Sequence, residues 1–286
     1  MNALYNVFFL FNFCIICLLP GTLAGQPGYL SLGEDSLYYE VAGSGPTMLF
    51  IHDGLLPGKV WDEQFTFFSA SHRVIRYDRR GYGLSSAATG SYTHLEDLEA
   101  LFEHLGVDRA VLLAGSAGGA LAIDFTLDHP DQVEALVLVG AVVGGFSYTG
   151  HMRNRGGHLP GSFENEQEEI LYYLTDDPYG IYSENVDAKQ KAVAELTAHP
   201  RKDNQRQRFV RRDPPSYLRL HEIKVPALIL TGEFDIPDVH AHAGAINAGI
   251  PGSKRDVVPD AGHLIPLEQP ELFNRLVKEF LEQDHP

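Results

Sequence analysis

From Gly28 onward the chain alternates short, wholly apolar runs with longer segments of helical periodicity, and this alternation restricts the fold more than any other feature. In runs such as Thr47-Met-Leu-Phe-Ile-His52 and Ala110-Val-Leu-Leu-Ala114 consecutive side chains are apolar, so both faces of each strand must be covered. Strands of that kind lie inside a mostly parallel sheet with helices packed on both faces. Tyr29 to Leu32 and Ser36 to Val41 predict an opening hairpin. Thr47 to His52, Val74 to Asp78, Ala110 to Ala114, Val133 to Gly140, Ala227 to Thr231 and Ser253 to Val258 complete a predicted sheet of eight strands. Thr93-His-Leu-Glu96 is a capping box, and leucines at 95, 98, 101 and 105 form one face of the helix it opens. Further helices are predicted over Ala117 to His129 and Pro270 to Leu281.

Between Gly144 and about His221 the strand rhythm stops and aromatic and charged residues take over, broken by Asp177-Pro178, His199-Pro200 and Asp213-Pro-Pro215. The segment, about 144–221, predicts a helical cap inserted into one α/β domain over 25–286, a size that 286 residues accommodate. The 22 basic and 38 acidic side chains leave a net charge of -16 without a basic cluster that could track phosphates, so nucleic acid is not an expected partner. Both cysteines, Cys14 and Cys17, lie in the apolar run Val7 to Leu19, leaving no thiol after it for a disulfide, a metal or a nucleophile. That run is too short for a stable membrane span but has the length of a signal-peptide core, with a cleavage site at Thr22-Leu-Ala24. Residues 1–24 therefore suggest export to a secreted or periplasmic location. Against this, no Lys or Arg precedes Lys59, so an uncleaved anchor or a mis-assigned start, with a cytoplasmic location, is the alternative.

Ser116 stands between a buried strand and a helix, at the sheet edge where ligands of open α/β folds bind. Ala114-Gly-Ser-Ala-Gly118 fits a nucleophile elbow, in which only small residues two positions away fit between strand and helix; Ala114 replaces the usual Gly. Alone, the stretch could be a small-residue helix start. A serine hydroxyl, however, needs a general base, and the base needs an acid to orient it. Thr231-Gly-Glu-Phe-Asp235 and Asp260-Ala-Gly-His263 put an aspartate and a histidine just past successive strands, in the order Ser, Asp, His. Asp238 is a competing carboxylate, and Asp235 could instead cap the helix that follows.

With Ile51-His-Asp-Gly54, Tyr77-Asp-Arg-Arg-Gly-Tyr-Gly-Leu-Ser85, Ala114-Gly-Ser-Ala-Gly-Gly119, Leu230-Thr-Gly-Glu-Phe-Asp235 and Ala261-Gly-His-Leu-Ile-Pro-Leu-Glu-Gln-Pro270 in this order, the chain resembles lid-bearing members of the α/β-hydrolase superfamily. The resemblance implies an oxyanion hole built from the amide of Ala117 and that of Gly54, with Leu55 open as the second donor because Asp53 stands where Gly is common. It implies that Asp78, Arg79 and Arg80 brace the active-site loops. His52 reads as structural, and Trp61 as core or pocket wall. His151, Arg153, Arg155 and His158 open the cap as a wet surface, with a grip on a substrate carboxylate as the alternative.

The expected function is hydrolysis of a carboxylic ester or lactone of a small, moderately apolar molecule through an acyl-enzyme, without a cofactor or metal. A serine nucleophile opposes epoxide hydrolase and haloalkane dehalogenase chemistry, which in this superfamily uses aspartate at that position. C-C bond hydrolysis and proline iminopeptidase-like cleavage are the alternative reactions, the latter weakened by missing signatures. A triad-bearing ligand receptor is the alternative from another class.

Overall fold

The computed structural model describes residues 25–202, 207–209 and 211–283; the expectation about residues 1–24 lies outside them. The strands β1 (Gln26–Leu32), β2 (Asp35–Ala42), β3 (Thr47–Ile51), β4 (Arg73–Tyr77), β5 (Ala110–Gly115), β6 (Val133–Val139), β7 (Ala227–Gly232) and β8 (Lys254–Val258) form one open sheet in the order β1-β2-β4-β3-β5-β6-β7-β8. β1 and β2 form an antiparallel hairpin and β2 runs antiparallel to β4, whereas every pairing from β4 through β8 is parallel. The sheet is therefore the mostly parallel, eight-stranded one predicted.

Helices cover both faces. α1 (Asp62–Phe68), α2 (His94–Leu105) and α3 (Ala117–Asp128) follow β3, β4 and β5. Between β6 and β7 lie α4 (Gly150–Asn154), α5 (Glu166–Thr175), α6 (Val186–Ala198) and α7 (Ser216–Arg219); α8 (Pro237–Gly249), α9 (Ile265–Glu268) and α10 (Pro270–Leu281) complete the fold. Alternate residues of the central strands explain why their sequences lack polar positions. Leu49, Ile51, Leu112, Leu136 and Ile229 pack with α2, α3 and α8, while Met48, Phe50, Leu113, Val137 and Leu230 pack with α1, α10 and the buried side of α5 and α6. Among the described residues no helix is long and apolar enough to cross a membrane.

The predicted capping box is present: Thr93 Oγ1 accepts the Glu96 N–H at 3.1 Å, and Glu96 Oε2 accepts the Thr93 N–H at 3.0 Å. Leu98 and Leu101 of the α2 stripe are fully buried. The corner after β4 is built by buried charge. Asp78 accepts from the amides of Gly58 and Leu84, each at 2.7 Å, and Arg80 joins Asp97 of α2 to Asp35 of β2.

α3 crosses β3 so closely that a Cβ on Gly118 would lie 2.5 Å from the His52 carbonyl oxygen and 2.8 Å from that of Ile51. Backbone cannot yield there as a flexible side chain can. Gly118→Ala is expected to cost roughly 1 to 3 kcal/mol, typical of overpacking, whereas Gly90→Ala, with open space around it, serves as control. Urea unfolding of the two variants measures the difference; equal midpoints would contradict the close crossing.

Candidate active site

Three chain segments converge at the carboxyl edge of the sheet. Ser116 joins β5 to α3 with φ 48° and ψ -115°, a backbone conformation an L-residue adopts only at a cost of about 1 to 3 kcal/mol. It is held there from both sides: its N–H donates to the Val139 carbonyl of β6 at 2.8 Å, and its carbonyl accepts the Gly119 N–H at 2.9 Å. The small neighbours have distinct roles. Gly118 lets α3 approach β3, Gly119 lies against Ala141, and Ala114 is fully buried where β5 pairs with Ile51 and Leu138.

His263, in the loop after β8, places Nδ1 2.8 Å from Oδ2 of Asp235, in the loop after β7. A carboxylate can only accept, so Nδ1 carries the proton and Nε2 of the neutral ring keeps its lone pair. Asp235 is 4% exposed, and its Oδ1 accepts the Ile236 N–H at 2.7 Å. Burial by itself would depress the His263 pKa, but the charge and hydrogen bond of Asp235 outweigh it and hold the ring above the usual 6.5. The competing carboxylate, Asp238, is turned elsewhere: it accepts the Thr149 N–H at 2.6 Å and the Thr149 hydroxyl at 2.9 Å.

Ser116, Asp235 and His263 line one cavity of about 230 Å³ together with Gly54, Leu55 and Ala117. Ala117 opens α3, so its N–H is one of the helix's first four donors, which have no partner within the helix. The amides of Leu55 and Leu56 both donate to Asp53 Oδ1, which commits Leu55 to its own loop. Gly54 lies beside Ala117; a Cβ built on it would be 3.8 Å from Ala117 Cβ. His52 is fully buried and braces this loop, with Nε2 accepting the Arg79 N–H at 2.9 Å and Nδ1 donating to the Asp53 carbonyl at 2.8 Å. Its pKa lies well below 6.5 because burial opposes a charge there, so the ring is a neutral strut.

The rest of the cavity wall comes from the segment between β6 and β7, with Tyr148, Met152, Arg155, Tyr173 and Gly180. Arg155 departs from the wet surface expected of its run: its guanidinium stacks on Tyr173 and Tyr179 and pairs with the buried carboxylate of Asp177. Trp61 is core, 1% exposed between Phe50 and Phe273.

Glu268 is the residue that sequence reasoning passed over. Its Oε2 accepts the N–H of Gly262 at 2.9 Å and of Tyr182 at 2.7 Å, and its Oε1 accepts that of Leu264 at 3.0 Å. It thereby grips both neighbours of His263 and ties them to the insertion, while the His263 N–H donates to the Gly180 carbonyl at 2.9 Å. Burial raises the Glu268 pKa to about 7 despite these three donors. The one signal in the sequence is a carboxylate that directly follows the apolar stretch Leu264-Ile-Pro-Leu267. Glu268→Gln turns an acceptor into a donor facing other N–H groups, an expected loss of about 1 to 3 kcal/mol. Faster hydrogen exchange over 260–268 in that variant is the accompanying readout; unchanged protection would mean the carboxylate does not hold the loop.

A sequence profile described as the alpha/beta hydrolase family matches residues 48–276. Epoxide hydrolase 3 of Xenopus tropicalis is 24% identical, across 93% of this chain and 80% of that one. A 2-hydroxy-6-oxononadienedioate/2-hydroxy-6-oxononatrienedioate hydrolase of Burkholderia vietnamiensis is 30% identical, across 89% of this chain and 95% of that one. Among solved structures, a thermophilic esterase from Thermogutta terrifontis superposes with a TM-score of 0.72 at 26% identity, covering 91% of this chain and all of that one. The open sheet, the turn at Ser116 and the profile match over most of its length together place this chain in the alpha/beta hydrolase family.

Proposed function

We propose that the chain is a serine hydrolase that cleaves a carboxylic ester or lactone of a small, moderately apolar molecule through an acyl-enzyme. The observation that carries this reading is the 2.8 Å contact of His263 with Asp235 in the cavity that also holds Ser116 on its strained turn. In the proposed cycle Ser116 Oγ attacks the carbonyl while His263 Nε2 takes its proton, then returns it to the leaving oxygen. Asp235 fixes the ring tautomer and stabilises the imidazolium. Water next attacks the acyl carbon, again losing its proton to His263, and Ser116 is released. The Ala117 and Gly54 amides hold the oxyanion, Leu55 being spent on Asp53; one such donor is worth about 3 to 4 kcal/mol of barrier. Residues 144–221 act as a cap over the cavity.

Identity of 30% with a C-C bond hydrolase favours cleavage of a carbon–carbon bond in a diketone-like substrate as the second reading. Relative turnover of p-nitrophenyl esters and a vinylogous 1,5-diketone separates the two.

Fluorophosphonate labelling tests the mechanism itself: one adduct on Ser116 is expected, abolished in Ser116→Ala, and no adduct at near-neutral pH would sink it. The pH profile supplies a second check. His263 must be neutral to act as base, and its pKa lies above 6.5, so kcat/KM is expected to fall tenfold per pH unit below an inflection above 6.5. Asp235→Asn removes the group that raises the ring, so the inflection moves down while kcat drops by about 10⁴. A profile flat from pH 5 to 8 would contradict the assignment of His263.

A further inference from the structure

A second cavity, of about 400 Å³, adjoins the first and shares Ala117, Val142 and Tyr148 with it. Its walls are mostly apolar, with Leu95, Leu121 and Phe146, but Arg79 and His94 also line it. Arg79 is 4% exposed, and among the described residues no carboxylate lies within ion-pair distance of it. Its Nη2 donates to the Asp53 carbonyl and its guanidinium lies 4.8 Å from the Tyr82 ring centroid, yet its Nε is buried without a hydrogen-bond partner. His94, 7% exposed, likewise leaves Nδ1 without one. The other charges on this wall are satisfied: Asp124 by Arg212 and the Ser216 hydroxyl, and Arg208 by Glu96. A buried cation without a counter-charge is costly, and the unpartnered Arg79 Nε and His94 Nδ1 add to that cost.

The geometry points to this cavity as a substrate subsite for an arm that ends in a carboxylate, with Arg79 as its counter-charge. This assignment rests on the hydrolase reading for its reaction but not for its binding. Burial and the neighbouring arginines, Arg79 first, keep the His94 pKa well below 6.5, so the ring is neutral and the counter-charge is Arg79's. The apolar residues Leu95, Leu121 and Phe146 on the cavity wall suit a methylene chain. Arg79 precedes the Arg80 that holds the corner, and of the two Arg79 lines the cavity.

Binding is measured with glutarate on Ser116→Ala by calorimetry, and specificity by kcat/KM with the wild type. The ester pairs place the charge on either arm: p-nitrophenyl hydrogen glutarate against p-nitrophenyl pentanoate, and the butyrate ester of 3-hydroxypropanoate against propyl butyrate. Glutarate is expected to bind, and one charged ester to be preferred at least tenfold over its neutral counterpart, chiefly through KM. Adding Arg79→Gln is expected to weaken glutarate at least tenfold and erase the preference, with Arg79→Lys retaining part of it. Because Arg79 also touches the Asp53 loop, Ala120→Glu, which adds a carboxylate to the cavity wall, provides a second route to the same loss. Absence of glutarate binding at 10 mM, or binding and preference unaltered in both variants, overturns the subsite. Inert esters with Arg79-dependent glutarate binding would overturn the ester reading and leave the subsite standing.

Discussion

The turn at Ser116 is the constraint on which the rest of this edge depends. A serine with positive φ persists only if strand and helix over-determine it. Here β6 takes its N–H and α3 takes its carbonyl. α3 must therefore start directly beneath β3, and the lack of side chain at Gly118 makes that crossing possible. The same placement puts Ala117, the first residue of α3, on the cavity wall with Ser116 and Gly54, so one local distortion positions both the serine and the start of the helix.

Loops at the carboxyl edge cannot be held by the sheet's own ladder, and buried carboxylates replace it. Asp53 gathers Leu55 and Leu56, Asp78 joins Gly58 to Leu84, Asp238 holds Thr149, and Glu268 binds Gly262, Leu264 and Tyr182. Each burial costs solvation, and charge-assisted bonds from backbone N–H groups offset it. Asp78 and Glu268 register the balance in pKa values raised by burial and pulled back by those donors.

The segment between β6 and β7 is bonded to the loops at the carboxyl edge. Tyr179 and Gly180 accept the His263 N–H, Thr149 occupies Asp238, and Arg201 donates to the Gly54 carbonyl at 2.6 Å. Movement of this segment would thus be felt at His263 and at the Gly54 loop together.

Periodicity and local chemistry determined the sheet, the capping box and the loops carrying Ser116, Asp235 and His263, because strand burial and turn sterics act over a few neighbouring residues. The chain order of those residues could only suggest a constellation; tertiary structure decided that Asp235 meets His263 while Asp238 meets Thr149. It also decided that Leu55 is committed to Asp53, that Arg155 is neutralised by Asp177, and that Glu268 grips the His263 loop. None of these pairings has a sequence signature, since each joins groups by direction and distance. Arg79 and Arg80 look alike in sequence, and only the packed fold gives Arg80 two carboxylates and Arg79 the Asp53 carbonyl and the Tyr82 ring.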